Sequence, residues 1–302
     1  MALALIVSPL IGGAMSQNGD WRWIFYYNVP AGGASLILLG FILPARFPHH
    51  WEPNLEKTRH ASVFHAASSF ARKADPVGAF LVLGAIIFLV AALEEGGVRF
   101  AWDSGVVIAF LVLSGSLAIL FVGWMAVASR AFGVETMFPS RFASNHTLLS
   151  SLVGCIITGA PMTIAAIELP QRYQLVNQSS PLGAGVKLLA YAVAMPVGIV
   201  LGSIMSGRLR LAFIYILFIG AMMQTVGFAL LSTVPTTTDL WNGIFGYSVL
   251  MGLGVGICAG TYYVITPISS GKGDQHLALG SGLQCRMLGG AIGNAGSSGM
   301  GA

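Results

Sequence analysis

Long runs of apolar residues dominate this sequence and restrict it to one class of fold. A helix needs about 20 apolar residues to cross the hydrocarbon of a bilayer. Nine runs approach that length: 1–15, 24–45, 76–94, 105–128, 147–169, 183–206, 212–231, 242–267 and 280–301. The first is short and the last is rich in Gly and Ser, so these two are the weakest. The pattern predicts an all-α, polytopic bundle of membrane helices.

Composition supports the same class. Hydrophobic residues make up 55% of the chain and charged residues only 9%, whereas a soluble domain carries about 25% charged residues. The net charge of +4 is small, and the basic residues fall in short segments between the apolar runs. We therefore expect the lipid bilayer as a partner and no nucleic acid.

The positions of the basic residues predict the orientation. Cytoplasmic loops hold an excess of Lys and Arg. If the chain starts inside, ten of its 15 basic residues fall in inside loops and four fall outside, while Arg286 lies within the last run. The first run is therefore expected to start inside, and an odd number of spans places the end of the chain outside.

The longest polar stretch, residues 46–75, is expected to be a cytoplasmic linker. It holds four of the six histidines: His49, His50, His60 and His65. A metal site needs ligands at fixed geometry with supporting partners, so we expect solvated histidines and no metal site. The runs also lack paired ligand residues and a Ser/His pair at membrane depth, so neither a cofactor nor an enzyme activity is predicted.

Two Gly- and Pro-containing runs meet near the start of the chain. Residues 8–13 read SPLIGG and residues 21–33 read WRWIFYYNVPAGG. They resemble the fifth and sixth helices of the major facilitator superfamily, specifically the fourteen-helix branch of drug:proton antiporters found in fungi. The family's antiporter motif carries Gly where this chain has a serine. The resemblance makes four residues candidates for transport or gating: Pro9, Gly12, Gly13 and Arg22. By the same resemblance, Pro9 bends the helix and the two glycines let the opposing bundle approach.

Three later stretches resemble the same family. Residues 168–174 and 180–185, ELPQRYQ and SPLGAG, are similar to the family's loop after the first helix of its C-terminal bundle. Residues 286–293, RMLGGAIG, are similar to a run in the penultimate helix. On this basis we expect a major-facilitator fold that is truncated at the N-terminus and at the C-terminus. Its expected parts are the end of an N-terminal bundle (1–45), the linker (46–75), two extra membrane helices (76–128) and a C-terminal bundle (129–302).

Two ionisable residues fall at membrane depth, where a charge is costly and often functional. Glu168 either titrates during proton exchange or reaches headgroup water. Arg286 either pairs with an acid or a substrate, or extends its charge to the interface. Asn177 begins an Asn-Gln-Ser sequence on an expected outside loop and is a candidate glycosylation site.

Glycines in the eighth run recur every four residues: Gly252, Gly256 and Gly260. This spacing places them on one face of a helix, where they would permit close contact with a neighbouring helix. A phosphate-binding loop is the alternative, but no strand precedes the glycines and no Gly-Lys-Ser/Thr follows them.

The resemblance implies an integral membrane transporter that exports a small organic molecule, such as a drug, toxin or metabolite, in exchange for protons by alternating access. The plasma membrane is the expected location and the vacuolar membrane the alternative. The other function left open is a truncated, non-transporting fragment or a regulatory subunit of a full-length relative. Because the matched segments begin at the fifth helix of the family, we expect that this chain alone does not transport.

Overall fold

A computed structural model describes residues 2–17, 22–42, 75–97, 99–131, 142, 144–209, 211–238, 240–271 and 273–300. These ranges hold nine helices and no strand. The helices are α1 Ala2–Gln17, α2 Arg22–Ile42, α3 Pro76–Glu95, α4 Gly105–Ala131, α5 His146–Leu175, α6 Pro181–Gly207, α7 Phe213–Ser232, α8 Gly243–Ser269 and α9 Gln275–Met300. The prediction of an all-α membrane bundle is confirmed.

Seven of these helices, α2 to α8, are long and apolar enough to cross a membrane. The other two correspond to the weakest runs of the sequence. The first of them, α1, has only 16 residues, and α9 is rich in Gly and Ser. The expected linker lies outside the described residues except for Asp75, which accepts a hydrogen bond from the Gly78 amide and begins α3.

The loop expected after the fifth run is helical instead, so this prediction is wrong. α5 continues through Pro161 and Pro170 and ends at Leu175. Proline removes one backbone hydrogen bond, but in membrane helices neighbouring groups and local adjustments compensate for that loss. The next helix starts at Pro181, because the Ser180 side chain caps it and proline suits the first helical position.

The helices from α5 onward form one packed group. Within it, α8 lies between α6 and α7 and also contacts α5 and α9, while α9 packs along α5. The α3–α4 hairpin joins this group through α3 and α9. At the other end of the chain, α1 packs on α6, whereas α2 makes few contacts with α1. A cluster of buried apolar side chains from α5, α6 and α8 forms the core between them.

Hydrogen bonds between helix ends agree with the order of membrane crossings predicted from the sequence, whichever face is cytoplasmic. At the expected inside face, the Asn145 side chain donates to the Ser269 carbonyl over 2.8 Å. At the expected outside face, Arg172 donates to the carbonyls of Val234 and Pro235, at 3.2 and 3.0 Å. Each bond therefore joins two ends that the orientation places on the same side of the membrane.

Candidate functional site

A cavity of about 430 Å³ lies between α1, α5 and α6. Its walls are formed mainly by small and apolar residues, namely Ser8, Pro9, Gly12, Gly13 and Ser16 of α1, Ala166, Pro170 and Gln174 of α5, and Pro181, Gly185, Leu188, Tyr191, Ala192 and Met195 of α6. Tyr191 lies ten residues after Pro181, or about 15 Å along the helix. The cavity therefore extends from the N-terminal end of α6 along at least half of that helix.

Backbone atoms of α1 and α6 touch beside this cavity. A Cβ atom placed on Gly13 would lie 2.7 Å from the Pro181 carbonyl oxygen, and one on Gly185 would lie 2.5 Å from the Pro9 carbonyl oxygen. A Cβ placed on Gly12 would meet no atom of the other described helices within 4 Å. Gly13 and Pro9 thus belong to the helix contact, while Gly12 forms part of the cavity wall.

The three glycines of α8 face α6. A Cβ on Gly256 would lie 2.8 Å from the Gly198 Cα atom, and one on Gly260 would lie 2.9 Å from the Ile199 Cα atom. A Cβ on Gly252 would lie 3.0 Å from a backbone oxygen of α6. Side chains at these positions would separate the two helices, so the glycines fix how closely α6 and α8 approach.

A second set of glycines joins α5 to α9. A Cβ on Gly289 would lie 2.9 Å from the Ile156 Cα atom, and one on Gly293 would lie 2.5 Å from the Ala160 Cβ atom. The sequence patterns did not assign these glycines to packing, although their four-residue spacing is the same signal that Gly252 and Gly256 carry. This contact positions the middle of α9, including Arg286, inside the helix group.

Arg286 is only 4% exposed. Its Nη1 atom donates to the Tyr263 hydroxyl over 3.3 Å, and its Cζ atom lies 5.6 Å from the centre of the Tyr263 ring. The Nε and Nη2 atoms are buried and have no hydrogen-bond partner among the described residues. Of the two alternatives left open by the sequence, extension to the interface does not fit this burial.

Glu168 lies near the outer end of α5 and is partly buried. Its carboxylate accepts a hydrogen bond from the Ser297 hydroxyl of α9 over 2.9 Å. The Ser297 hydroxyl also contacts the Asn294 carbonyl oxygen in its own helix, at 2.8 Å. The carboxylate is therefore held between α5 and α9, seven residues before the end of α5 at Leu175.

The outer loop at Asn177 is tied to the α7–α8 connection. Its side-chain nitrogen, which would carry a glycan, donates to the carbonyls of Thr237 and Thr238 at 3.3 and 3.4 Å. Nearby, the Lys187 ammonium donates to the Ser179 hydroxyl over 2.6 Å. Glycosylation at Asn177 stays a prediction, and it competes with these bonds.

The candidate residues fall in separate places in the bundle. Pro9, Gly12 and Gly13 lie at the cavity, whereas Glu168 and Arg286 lie on the side where α5 meets α9. Arg22 is exposed at the start of α2. Among the described residues, no group of His, Cys, Asp or Glu side chains is placed to hold a metal ion, and the four linker histidines lie outside those residues.

Three residues that the structure places in contact with the candidates carried little sequence signal. Tyr263 lies three residues after Gly260, about one helical turn further along α8. The glycine pattern therefore indicated that Tyr263 is near a helix contact, but not which residue it touches. Tyr191 lies within an ordinary apolar run. Ser297 is one of several serines in a Gly/Ser-rich segment, and nothing in the sequence sets it apart from them.

The chain is similar to fungal transporters over most of its length. The MFS-type transporter FPY5 of Fusarium mangiferae is 35% identical over 294 residues, which cover 96% of this chain and 48% of the relative. The efflux pump roqT of Penicillium rubens is 30% identical over 293 residues, covering 96% of this chain and 50% of the relative. The rubrofusarin-specific efflux pump aurT of Gibberella zeae is 30% identical over 257 residues, covering 84% and 43%.

The chain spans about half the length of these curated relatives. No family model matches it. The relatives are named as transporters and efflux pumps, in agreement with the expectation that the chain is not an enzyme. Their similarity over most of this chain, together with the helical membrane architecture, shows that the chain belongs to the major facilitator superfamily.

Proposed function

We propose that this chain is part of an exporter that moves a small organic molecule out of the cytoplasm in exchange for protons, by alternating access between two helix bundles. Relatives named as efflux pumps support export. The resemblance of residues 8–33 to the fourteen-helix antiporter branch supports proton exchange. The plasma membrane is the proposed location.

The contact between α1 and α6 carries this proposal. The two helices belong to different expected bundles, yet Gly13 and Gly185 bring their backbones together beside a cavity. A backbone contact without intervening side chains can close tightly and separate again, because no side chains interlock across it. We propose that this contact is the outer gate and that Gly12, which leaves open space, lines the path of the transported molecule.

Glu168 is the proposed proton carrier. A carboxylate at membrane depth is costly while charged, so binding a proton favours a buried state and releasing it favours an exposed one. In the described state the Ser297 hydroxyl of α9 donates to the Glu168 carboxylate over 2.9 Å. Movement of α9 along α5 would break this bond and so couple protonation to the arrangement of the helices.

A chimera tests the export function. This chain would replace the matching half of the FPY5 relative, and efflux of ethidium from yeast cells that lack their own pumps would be measured. We expect the chimera to lower ethidium accumulation, because the chain provides the C-terminal half of the path. The intact relative is the positive control, and the chain alone is expected to be inactive. Accumulation equal to that of empty cells, with the chimera present in the membrane, would contradict the proposal.

Proton coupling is tested in vesicles that contain the same chimera. Glu168→Gln should abolish the increase in ethidium transport that an imposed pH gradient produces, while exchange of labelled for unlabelled ethidium continues. Glu95→Gln is the matched control, because Glu95 lies at a helix end and pairs with the exposed Arg99. A Glu168→Gln chimera that still responds to the gradient would exclude this residue as the proton carrier.

A further inference from the structure

The guanidinium of Arg286 is buried inside the helix group. It lies 11 residues after Gln275, the first residue of α9, which is about 16 Å along the helix and close to the middle of a bilayer. Within the described ranges, no carboxylate forms an ion pair with it. An uncompensated charge at this depth is costly, so such residues usually serve a ligand or an ion.

The two unoccupied nitrogen donors of the Arg286 guanidinium have a fixed geometry. Nη1 donates to the Tyr263 hydroxyl, while Nε and Nη2 have no acceptor in the part of the chain that the structure describes. Nε and Nη2 lie on the same edge of the planar guanidinium, and their N–H bonds point in parallel. This edge matches the two oxygens of a carboxylate and can donate one hydrogen bond to each.

The surroundings of Arg286 are neutral side chains. Tyr191, Cys155 and Cys258 interact electrostatically with the guanidinium. Tyr191 also lines the cavity between α1, α5 and α6, and its hydroxyl donates to the Met162 carbonyl over 3.3 Å. Tyr191 therefore belongs both to the cavity wall and to the electrostatic surroundings of the arginine.

We infer that the Nε–Nη2 edge of Arg286 is a recognition site for the carboxylates of transported molecules, so that organic acids are among the substrates. Tyr263 holds the guanidinium in place from the opposite side through its hydroxyl and ring. The inference rests on the proposed export function, because a transported molecule is what the site would recognise. The residues around the guanidinium belong to α5, α8 and α9 of this chain, so binding to the site can be measured without transport.

The experiment compares two fluorescent probes that differ only at the acid. Dansylglycine carries a carboxylate and dansylglycinamide a neutral amide, and their binding to the purified chain in nanodiscs is followed by fluorescence anisotropy. The chain should bind the acid about tenfold or more tightly than the amide, the size expected for charge-assisted hydrogen bonds. Equal affinity for both probes would overturn the inference.

Three variants assign the preference to this residue. Arg286→Gln should bind both probes equally, and Arg286→Lys should keep only part of the preference, because it retains the charge but not the planar edge. Arg99→Gln is the control, since its side chain is 74% exposed and its loss should change nothing. An unchanged preference in folded Arg286→Gln, or a full preference in Arg286→Lys, would overturn the inference.

The unsubstituted chain provides the decisive comparison of the two probes even if Arg286→Gln fails to fold. Failure here is also separable from failure of the export proposal. A chimera that exports ethidium while the chain binds both probes equally would refute only the carboxylate site. A preference for the acid, lost in Arg286→Gln, with no export by the chimera, would refute only the export function.

Discussion

The α3–α4 hairpin and helix α8 differ in a way that hydrophobicity alone does not predict. Both hairpin helices are more hydrophobic than α8, yet only 17% and 11% of the residues in their most apolar stretches are buried, against 67% for α8. Leu83 and Leu120 of the hairpin are exposed, whereas Met251 and Val255 of α8 are completely buried. The most apolar helices of this protein therefore lie at its surface.

Lipid explains the difference. A leucine side chain gains little by leaving hydrocarbon for a protein interior, so apolarity does not drive one membrane helix against another. Small residues do, because they let backbones approach and make many close contacts. α8 has glycines towards α6 and a further glycine, Gly254, whose Cβ would lie 2.7 Å from the Gly220 backbone oxygen of α7. Backbone proximity, not hydropathy, thus sets the position of α8.

The largest effect is expected from Gly256→Val. The new side chain would meet α6 backbone atoms, the nearest Cα being 2.8 Å from its Cβ. Overpacking usually costs about 1–3 kcal/mol, and we expect a loss at or above the top of that range because backbone is the obstacle. The free energy of unfolding of the purified chain in mixed micelles, titrated with SDS, measures this loss.

Gly246→Val is the matched control in the same helix. A Cβ on Gly246 meets no atom of the neighbouring described residues within 4 Å. The free energy of unfolding of Gly246→Val should therefore stay close to that of the unsubstituted chain. If the two valine variants unfold at the same SDS fraction, the claim that only the Gly256 face of α8 packs closely on α6 is wrong.

The next largest difference should separate two apolar truncations. Met251→Ala removes a fully buried side chain of α8 and should cost about 2–5 kcal/mol through lost packing and a new cavity. Leu83→Ala removes a side chain from the exposed face of α3 and should cost far less, since lipid fills the space. The same SDS titration compares them, and equal losses would show that the hairpin face is covered.

Arg172→Ala should have an intermediate effect. Its two bonds to the α7–α8 connection would be lost, and hydrogen bonds from a charged donor contribute about 1.5–3 kcal/mol. Arg99→Ala breaks only an exposed ion pair, which is worth about 0–1 kcal/mol. Hydrogen exchange at residues 233–238 should rise in Arg172→Ala and not in Arg99→Ala. Unchanged exchange in both variants would show that Arg172 does not hold this loop.

Ser114→Ala should give the smallest effect. The Ser114 hydroxyl donates to the Ala85 carbonyl across the hairpin over 2.8 Å, and such bonds between membrane helices average about 0.6 kcal/mol. Ser116 donates to Leu113 within its own helix, so Ser116→Ala should change hairpin stability less. A loss for Ser116→Ala that equals that for Ser114→Ala would argue against the bond between the helices.

The fold was largely predictable from the sequence, because a membrane helix needs a long apolar run wherever it packs. All nine runs became helices, including the two weak ones at the ends. The wrong prediction, a loop at residues 168–174, came from the resemblance of this stretch to a loop of the family, whereas α5 continues through Pro170 to Leu175 because membrane helices tolerate proline. The spacing of Gly252, Gly256 and Gly260 indicated one contact face.

The candidate site was less predictable, because its contacts join residues that are far apart in the chain. The sequence placed Arg286 at membrane depth, but its partner Tyr263 lies 23 residues away on another helix. Ser297 and Glu168 are 129 residues apart. No local pattern encodes such pairs. The open space at Gly12 beside the closed contact at Gly13 likewise depends on where α6 lies.

Gly13 of α1 gives the most direct test of the proposed gate. In the chimera, Gly13→Val should abolish ethidium export while the protein stays in the membrane at normal amount, because a Cβ atom at this position lies 2.7 Å from the Pro181 carbonyl oxygen. Gly246→Val of α8 is the control and should preserve export, since a Cβ atom there meets no atom of the neighbouring described residues within 4 Å. Export by Gly13→Val equal to that of the unsubstituted chimera would contradict the role of the α1–α6 contact in transport.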